Sequence, residues 1–317
     1  MDRRNFLALG GAVTTVASAH EIGFPHEHFP SGAAVPTGKQ LLRKIPSSGE
    51  MLPAIGLGTS GPFEAGAEPA VREPLREVLK GFFMAGASLI DTSPMYSTAE
   101  GVLGDLLTPD QQAKAFIATK VWTPGSGGHG EQKGVEQMQR SMALLKHKRI
   151  ELMQVHNLVD WRTQLATLRE WKAAGRISYL GVTHYTASAY PQLESVLRSE
   201  KPDFVQLNYA IDDREAAQRL LPLAADLGIA VLVNRPFGGG GLLRRLRDKP
   251  LPGWAAEAGA TSWAQLLLRF VLANPAVTCA IPGTSRPEHM ADNLAAGRAP
   301  LPDAAFWTPA RLASVTG

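Results

Sequence analysis

From residue 50 onward, short apolar runs alternate with stretches whose apolar positions recur near i, i+3, i+4 and i+7, the helical period. The strand-like runs are 54–58 (AIGLG), 88–92 (SLIDT), 115–121 (AFIATKV), 150–156 (IELMQVH), 179–183 (YLGVT), 204–209 (FVQLNY), 229–234 (IAVLVN) and 277–282 (VTCAIP). Between most of them lie amphipathic segments such as EPLREVLKGFFMAG and WRTQLATLREWKAAG, and Gly86 and Gly175 follow these two as C-caps would. Eight strand–helix units predict an α/β fold, a (β/α)8 TIM barrel. A doubly wound open sheet is the alternative, but no boundary splits the series into halves. Upstream, Ser47-Ser48-Gly49 separates two β-rich runs, which predicts an N-terminal β-hairpin closing the bottom of the barrel. The expected organisation is a signal peptide at 1–19, a linker at 20–45 and a single barrel at 46–317.

The first segment, MDRRNFLALGGAVTTVASA, has paired arginines (Arg3, Arg4), then Phe6 and Leu7, a mildly apolar stretch, and an A-x-A site at Ala17-Ser18-Ala19. It resembles a bacterial twin-arginine signal, departing from it at Asp2 and Ala8. The resemblance implies export machinery as a partner and a periplasmic or exported location. A basic N-terminus that is not a signal would leave the protein cytoplasmic. The stretch is too short and weakly apolar for stable membrane insertion. Residues 20–45 are polar and proline-punctuated and read as a solvated tail; His20, Glu21, His26, Glu27 and His28 lack a second anchored ligand set, so no metal site is expected.

Composition changes this picture little. The chain has 317 residues, 44% hydrophobic and 19% charged, an ordinary globular composition. A formal net charge of +3 is too small and too dispersed for a nucleic-acid partner. The single cysteine, Cys279, lies in an apolar run and reads as a buried strand residue.

Polar chemistry concentrates at strand ends. Asp91 ends the second strand, Tyr96 lies in its loop, Lys120 sits near the end of the third and His156 ends the fourth. In a barrel these ends converge at one mouth. An aspartate can hold the lysine, the lysine can make the phenol a stronger acid, and the imidazole can orient a carbonyl; such a group suits proton donation to a carbonyl oxygen.

The motifs GLGTS (56–60), DTSPMY (91–96), TK (119–120), QVH (154–156), GVTHY (181–185), QLNY (206–209) and IPGTSRPEHMADN (281–293) occur in an order that resembles the aldo-keto reductases. The resemblance covers about residues 50–295. It implies reduction of an aldehyde or ketone to an alcohol, with Asp91, Tyr96, Lys120 and His156 catalytic, Tyr96 as proton donor, and NADPH rather than NADH as cofactor. An alternative is an exported NADP(H)-binding sensor or accessory subunit with little turnover.

The same resemblance implies a cofactor site. Gly283, Thr284 and Ser285 would hold phosphate at a helix N-terminus, Arg286 the 2′-phosphate, and Asp292 and Asn293 the adenine; His289 stands where the family often has arginine. Gly238, Gly239 and Gly241, with Pro236 and Phe237, would wrap the pyrophosphate. Gly58 and Thr59 would also bind the cofactor. Thr183, His184 and Gln206 would hold the carboxamide. Arg235 replaces an aromatic ring that commonly stacks on the nicotinamide, and its charge would favour the reduced cofactor. Met95, Trp122 and Asn157 map to the substrate pocket, and the loop 123–134 to a mobile rim. The G-x-G-x-x-G match at 56–61 is followed by Pro62, Gly66 and Pro69, so no helix opens at the glycines and a dinucleotide fingerprint is not supported.

Overall fold

A computed structural model describes residues 39–124, 128–298 and 300–316. The segment read as a signal peptide, most of the presumed linker and its histidine–glutamate cluster lie outside the described residues. Among the described residues no helix is long and apolar enough to cross a membrane, and no three metal-ligating side chains cluster.

The chain begins with a hairpin of β1 (Leu42–Lys44) and β2 (Met51–Pro53), antiparallel, with Arg43 opposite Leu52. The hairpin therefore starts inside the stretch 20–45 expected to be linker. It is the hairpin expected around Ser47-Ser48-Gly49, and Arg43 is held by the carbonyls of Leu272 and Pro275 at 2.7 and 3.0 Å. The turn runs through Gly49 at φ +82°, where a side chain would be strained.

Eight parallel strands follow: β3 (Leu57–Gly58), β4 (Leu89–Asp91), β5 (Phe116–Val121), β6 (Ile150–His156), β7 (Ile177–Thr183), β8 (Phe204–Asn208), β9 (Ala230–Asn234) and β10 (Val277–Ala280). Each pairs with the next in sequence. The ends of the series meet: Gly56 N–H donates to Ala280 O at 2.8 Å, Gly58 N–H to Pro282 O at 3.0 Å, and Ala280 N–H to Ala54 O at 2.9 Å. That closes the (β/α)8 barrel expected from the strand count. The seam tolerates no side chain at Gly58, where a Cβ would lie 2.7 Å from Ile281 O.

The helices are α1 (Pro69–Met84), α2 (Ala99–Leu106), α3 (Pro109–Lys114), α4 (Gly130–Leu145), α5 (Trp161–Ala173), α6 (Tyr190–Glu200), α7 (Leu220–Leu227), α8 (Gly241–Leu246), α9 (Trp263–Ala273), α10 (Pro287–Ala296) and α11 (Pro309–Thr316). Side-chain caps open two of them, the reciprocal Thr108/Gln111 box on α3 and the Ser262 hydroxyl accepting from Gln265 N–H on α9. Helix α4 begins at Gly130, so the expected rim loop 123–134 ends earlier; Gly134 already packs on Gln164, with no room for a Cβ.

Two apolar regions result. Outward-facing strand residues pack on the helices. Inward-facing ones (Leu89, Phe116, Leu152, Phe204, Leu232) fill the barrel together with Ile45 and Leu52 of the hairpin. Tyr179 ties the hairpin down, its hydroxyl 2.6 Å from Glu50 Oε2 and 2.7 Å from Ser48 Oγ. The bottom is thus plugged, and polar chemistry is left to the opposite mouth.

Candidate active site

Strand alternation aims the site. Leu89 and Asp91 share the inward face of β4, Ala118 and Lys120 that of β5, and Leu152, Gln154 and His156 that of β6. Going up each strand, apolar residues give way to polar ones at the same mouth. Thr119, on the opposite face of β5, donates instead to the buried Glu100 at 2.6 Å, and Ser141 donates to the other Glu100 oxygen at 3.0 Å. Burial raises the Glu100 pKa against those two hydrogen bonds. This carboxyl ties α2 and α4 to β5 behind the site.

Lys120 is fully buried. Its ammonium donates to Asp91 Oδ1 and Oδ2 at 2.9 and 2.8 Å and to Thr92 O at 2.7 Å, and it lies 5.0 Å from the centre of the Tyr96 ring. Burial alone would depress this amine, but the Asp91 carboxylate, then Tyr96, outweigh it and hold its pKa above the ordinary lysine value.

Tyr96 corrects the expectation of a stronger acid. Burial raises its pKa more than the Lys120 charge lowers it, and the net position is above that of a free phenol. The phenol therefore keeps its proton at neutral pH, and the lysine acts by making proton loss less costly than burial would otherwise allow.

His156 ends β6, and the chain turns at once through Asn157, Leu158 and Asp160, all at positive φ. Its ring stands edge-on to Tyr96, 6.1 Å between centres at 89°, with Nδ1 3.2 Å from Ser93 Oγ. Burial, then the charges of Lys120 and His184, push its pKa down to about 3, so the imidazole is neutral.

The residues assigned to the carboxamide join this network. Gln206 donates to Asp91 Oδ1 at 2.6 Å, and its own oxygen lies 3.2 Å from Thr183 Oγ1 and 3.5 Å from Asn234 Nδ2. Gln154 approaches Asp91 Oδ1 at 3.4 Å. His184 Nδ1 accepts from the backbone N–H of Tyr185 and Thr186 at 3.1 and 3.3 Å, and its ring stacks on Tyr185. The Arg235 guanidinium lies over that same Tyr185 ring at 4.3 Å, so its observed stacking partner is a side chain of this protein.

At the phosphate end, Gly238, Gly239 and Gly240 all have positive φ and lead into α8 behind the buried Pro236 and Phe237; Gly241 is its first residue. Thr59 is buried and donates to Asp91 O at 2.9 Å, which joins this end to the Asp91 strand. Gly283 lies against Gly58, where a Cβ would meet its carbonyl oxygen at 2.9 Å. Thr284 Oγ1 accepts from Arg286 N–H at 3.1 Å, and the Arg286 side chain pairs with Glu288 at 2.8 Å. Ser285 is exposed, His289 is partly buried on α10 and Asn293 is buried. The two Asp292 oxygens accept from Ser262 Oγ at 2.6 Å and Gln265 Nε2 at 2.7 Å, at the start of α9. Met95, Trp122 and Asn157 all follow strand ends of the catalytic mouth, Met95 exposed and the other two partly buried.

These residues fit a nicotinamide dinucleotide. Among the described residues, the buried Asn234 Oδ1 and Asn157 Oδ1 have no hydrogen-bond partner, and the positive-φ glycines leave backbone open where phosphate would pass. Sequence reading missed Ser93, Gln154 and Asn234. Gln154 carried a signal, two positions before His156 on one strand face.

A family model described as "Aldo/keto reductase family" matches residues 54–309. Among curated proteins, the uncharacterized oxidoreductase YrpG of Bacillus subtilis is 25% identical over 260 residues, 67% of this chain and 78% of that one. Among solved structures, the holo form of aldo-keto reductase AKR11C1 from Bacillus halodurans superposes with a TM-score of 0.69 at 21% identity, covering 88% of this chain and 97% of that one. An aldo-keto reductase from Klebsiella pneumoniae in complex with NADPH gives 0.69 at 24% identity, covering 88% and 94%.

Proposed function

The chain belongs to the aldo/keto reductase family and is an NAD(P)H-dependent oxidoreductase, and from that premise we propose that it reduces an aldehyde or ketone to the alcohol with Tyr96 as the proton donor. The observation that carries this reading is the Lys120 ammonium, bound to Asp91 at 2.8 Å on one side and lying 5.0 Å from the Tyr96 ring on the other.

When bound, a reduced nicotinamide would supply the hydride for the carbonyl carbon. The protein handles the oxygen. Tyr96 arrives protonated and gives its proton as charge develops on that oxygen. The phenolate left behind faces Lys120, which Asp91 keeps charged and aimed. His156, neutral, donates its single N–H to the same oxygen and orients it. Thr183, His184, Gln206 and Asn234 would hold the carboxamide. Thr284, Ser285, Arg286 and His289 support a preference for the 2′-phosphate of NADPH, in keeping with the Klebsiella relative's NADPH complex. Met95, Trp122 and Asn157 would line the carbonyl pocket. The sequence of residues 1–19 alone supports export, which N-terminal sequencing of the native protein tests.

The function is tested by following NADPH oxidation with a panel of aliphatic, aromatic and sugar aldehydes and ketones. Turnover that Tyr96→Phe abolishes supports it. Tight NADPH binding without turnover of any carbonyl would favour the sensor or accessory reading.

A further inference from the structure

We propose that Ser93 is a positioning residue that fixes the proton of His156 on Nε2, so that the imidazole presents a hydrogen-bond donor to the substrate oxygen. The inference deepens the carbonyl-reductase reading and rests on it for its functional half only.

Ser93 is fully buried in the turn after β4, and its Oγ lies 3.2 Å from His156 Nδ1. The same Oγ accepts from the backbone N–H of Met95 at 3.2 Å. A serine hydroxyl has one hydrogen to give and two lone pairs. With one lone pair taken by Met95, two arrangements remain. If Nδ1 carried the proton, Ser93 would accept twice, and its own hydrogen would need another acceptor. Among the described residues none is in reach. If Nδ1 is bare, the hydroxyl hydrogen points to it and every group is satisfied. A buried hydroxyl without a partner is costly, so the second arrangement wins.

The consequence matters because His156 is neutral, its pKa held near 3 by burial and by the charges of Lys120 and His184. A neutral imidazole has a single N–H, and the tautomer decides which side of the ring can donate. Nδ1 is turned to Ser93. The donor for a substrate must therefore be Nε2, and Ser93 is the group that keeps it there. Met95 enters twice, since its backbone orients Ser93 while its exposed side chain stands at the mouth.

The test uses the full-length protein with 15N-labelled histidine, with His156→Gln assigning the resonance. In the absence of any substrate, His156 should show an unprotonated Nδ1 and a protonated Nε2. Ser93→Ala should move both nitrogen shifts towards the tautomer mixture of free imidazole. Ser93→Thr, which keeps the hydroxyl, should restore the single tautomer. In single-turnover reduction, Ser93→Ala should slow the hydride-transfer step by roughly tenfold or more with NADPH affinity unchanged, as loss of a tautomer-holding partner does elsewhere. A wild-type proton on Nδ1, or nitrogen shifts unmoved by Ser93→Ala, would overturn the proposal. Correct spectra with no carbonyl turnover in any variant would leave the tautomer assignment standing and overturn the reductase reading instead.

Discussion

Lys120 and Asp91 form a buried ion pair in which one ammonium meets both carboxylate oxygens, at 2.9 and 2.8 Å, with side chains 0% and 3% exposed. Such a pair is expensive to break one-sidedly, because the remaining charge has no water to turn to. Asp91→Asn is expected to lower the unfolding free energy by about 3–5 kcal/mol in urea titrations. The double variant Asp91→Asn/Lys120→Met should recover part of that loss while remaining inactive. That outcome separates the pair's structural role from its chemical one.

The pH dependence of stability follows from His156. Its folded pKa of about 3 lies below the ordinary 6.5, so between those values the unfolded chain binds more protons. The contribution is fully present above pH 6.5 and is lost as the pH falls towards 3, with a limiting slope of about 1.4 kcal/mol per unit. His156→Gln removes this slope. Relative to the variant, the wild type should lose roughly 2 kcal/mol between pH 7 and pH 5, measured as the difference between paired denaturation curves.

The hairpin plug gives a prediction away from the site. Tyr179 meets Glu50 Oε2 at 2.6 Å and Ser48 Oγ at 2.7 Å across the barrel floor. Tyr179→Phe deletes a hydrogen bond to a charged group, worth about 1.5–3 kcal/mol. Thermal unfolding should shift down by several degrees while kcat and KM stay within twofold of wild type.

Cofactor preference should answer to Glu288. It holds Arg286 at 2.8 Å with both side chains 34% exposed, a pair of modest strength. Glu288→Gln frees the guanidinium and removes a negative charge from the region assigned to the 2′-phosphate. NADPH should bind about two- to fivefold tighter, the equivalent of releasing a pair worth up to about 1 kcal/mol, with NADH affinity unchanged. Fluorescence titration with both nucleotides checks it; equal gains for the two would place the phosphate elsewhere.

The barrel and the convergence of Asp91, Tyr96, Lys120 and His156 were legible because strand periodicity fixes which side chains face inward and the fold collects strand ends at one mouth. What periodicity does not encode is the partner. The resemblance implies that Gln206 holds the carboxamide, whereas its grip on Asp91 depends on two strands separated by the whole of β5, β6 and β7. The family resemblance assigns Asp292 to the adenine, and the sequence gives no sign that donors at the start of α9 hold its two oxygens. The acidity of Tyr96 was misjudged because the charge of Lys120 is visible in the sequence and the depth of burial is not. The hairpin is legible because Ser47-Ser48-Gly49 separates two β-rich runs, and the two pair as β1 and β2.

Proton donation from Tyr96 to a substrate oxygen is tested by single-turnover oxidation of bound NADPH with saturating aldehyde, in wild type and Tyr96→Phe, with nucleotide affinity measured on the same samples. A fall in the hydride-transfer rate of about a hundredfold or more, with NADPH affinity held within about threefold, is the expected result. A Tyr96→Phe protein that reduces the aldehyde at the wild-type rate would contradict it.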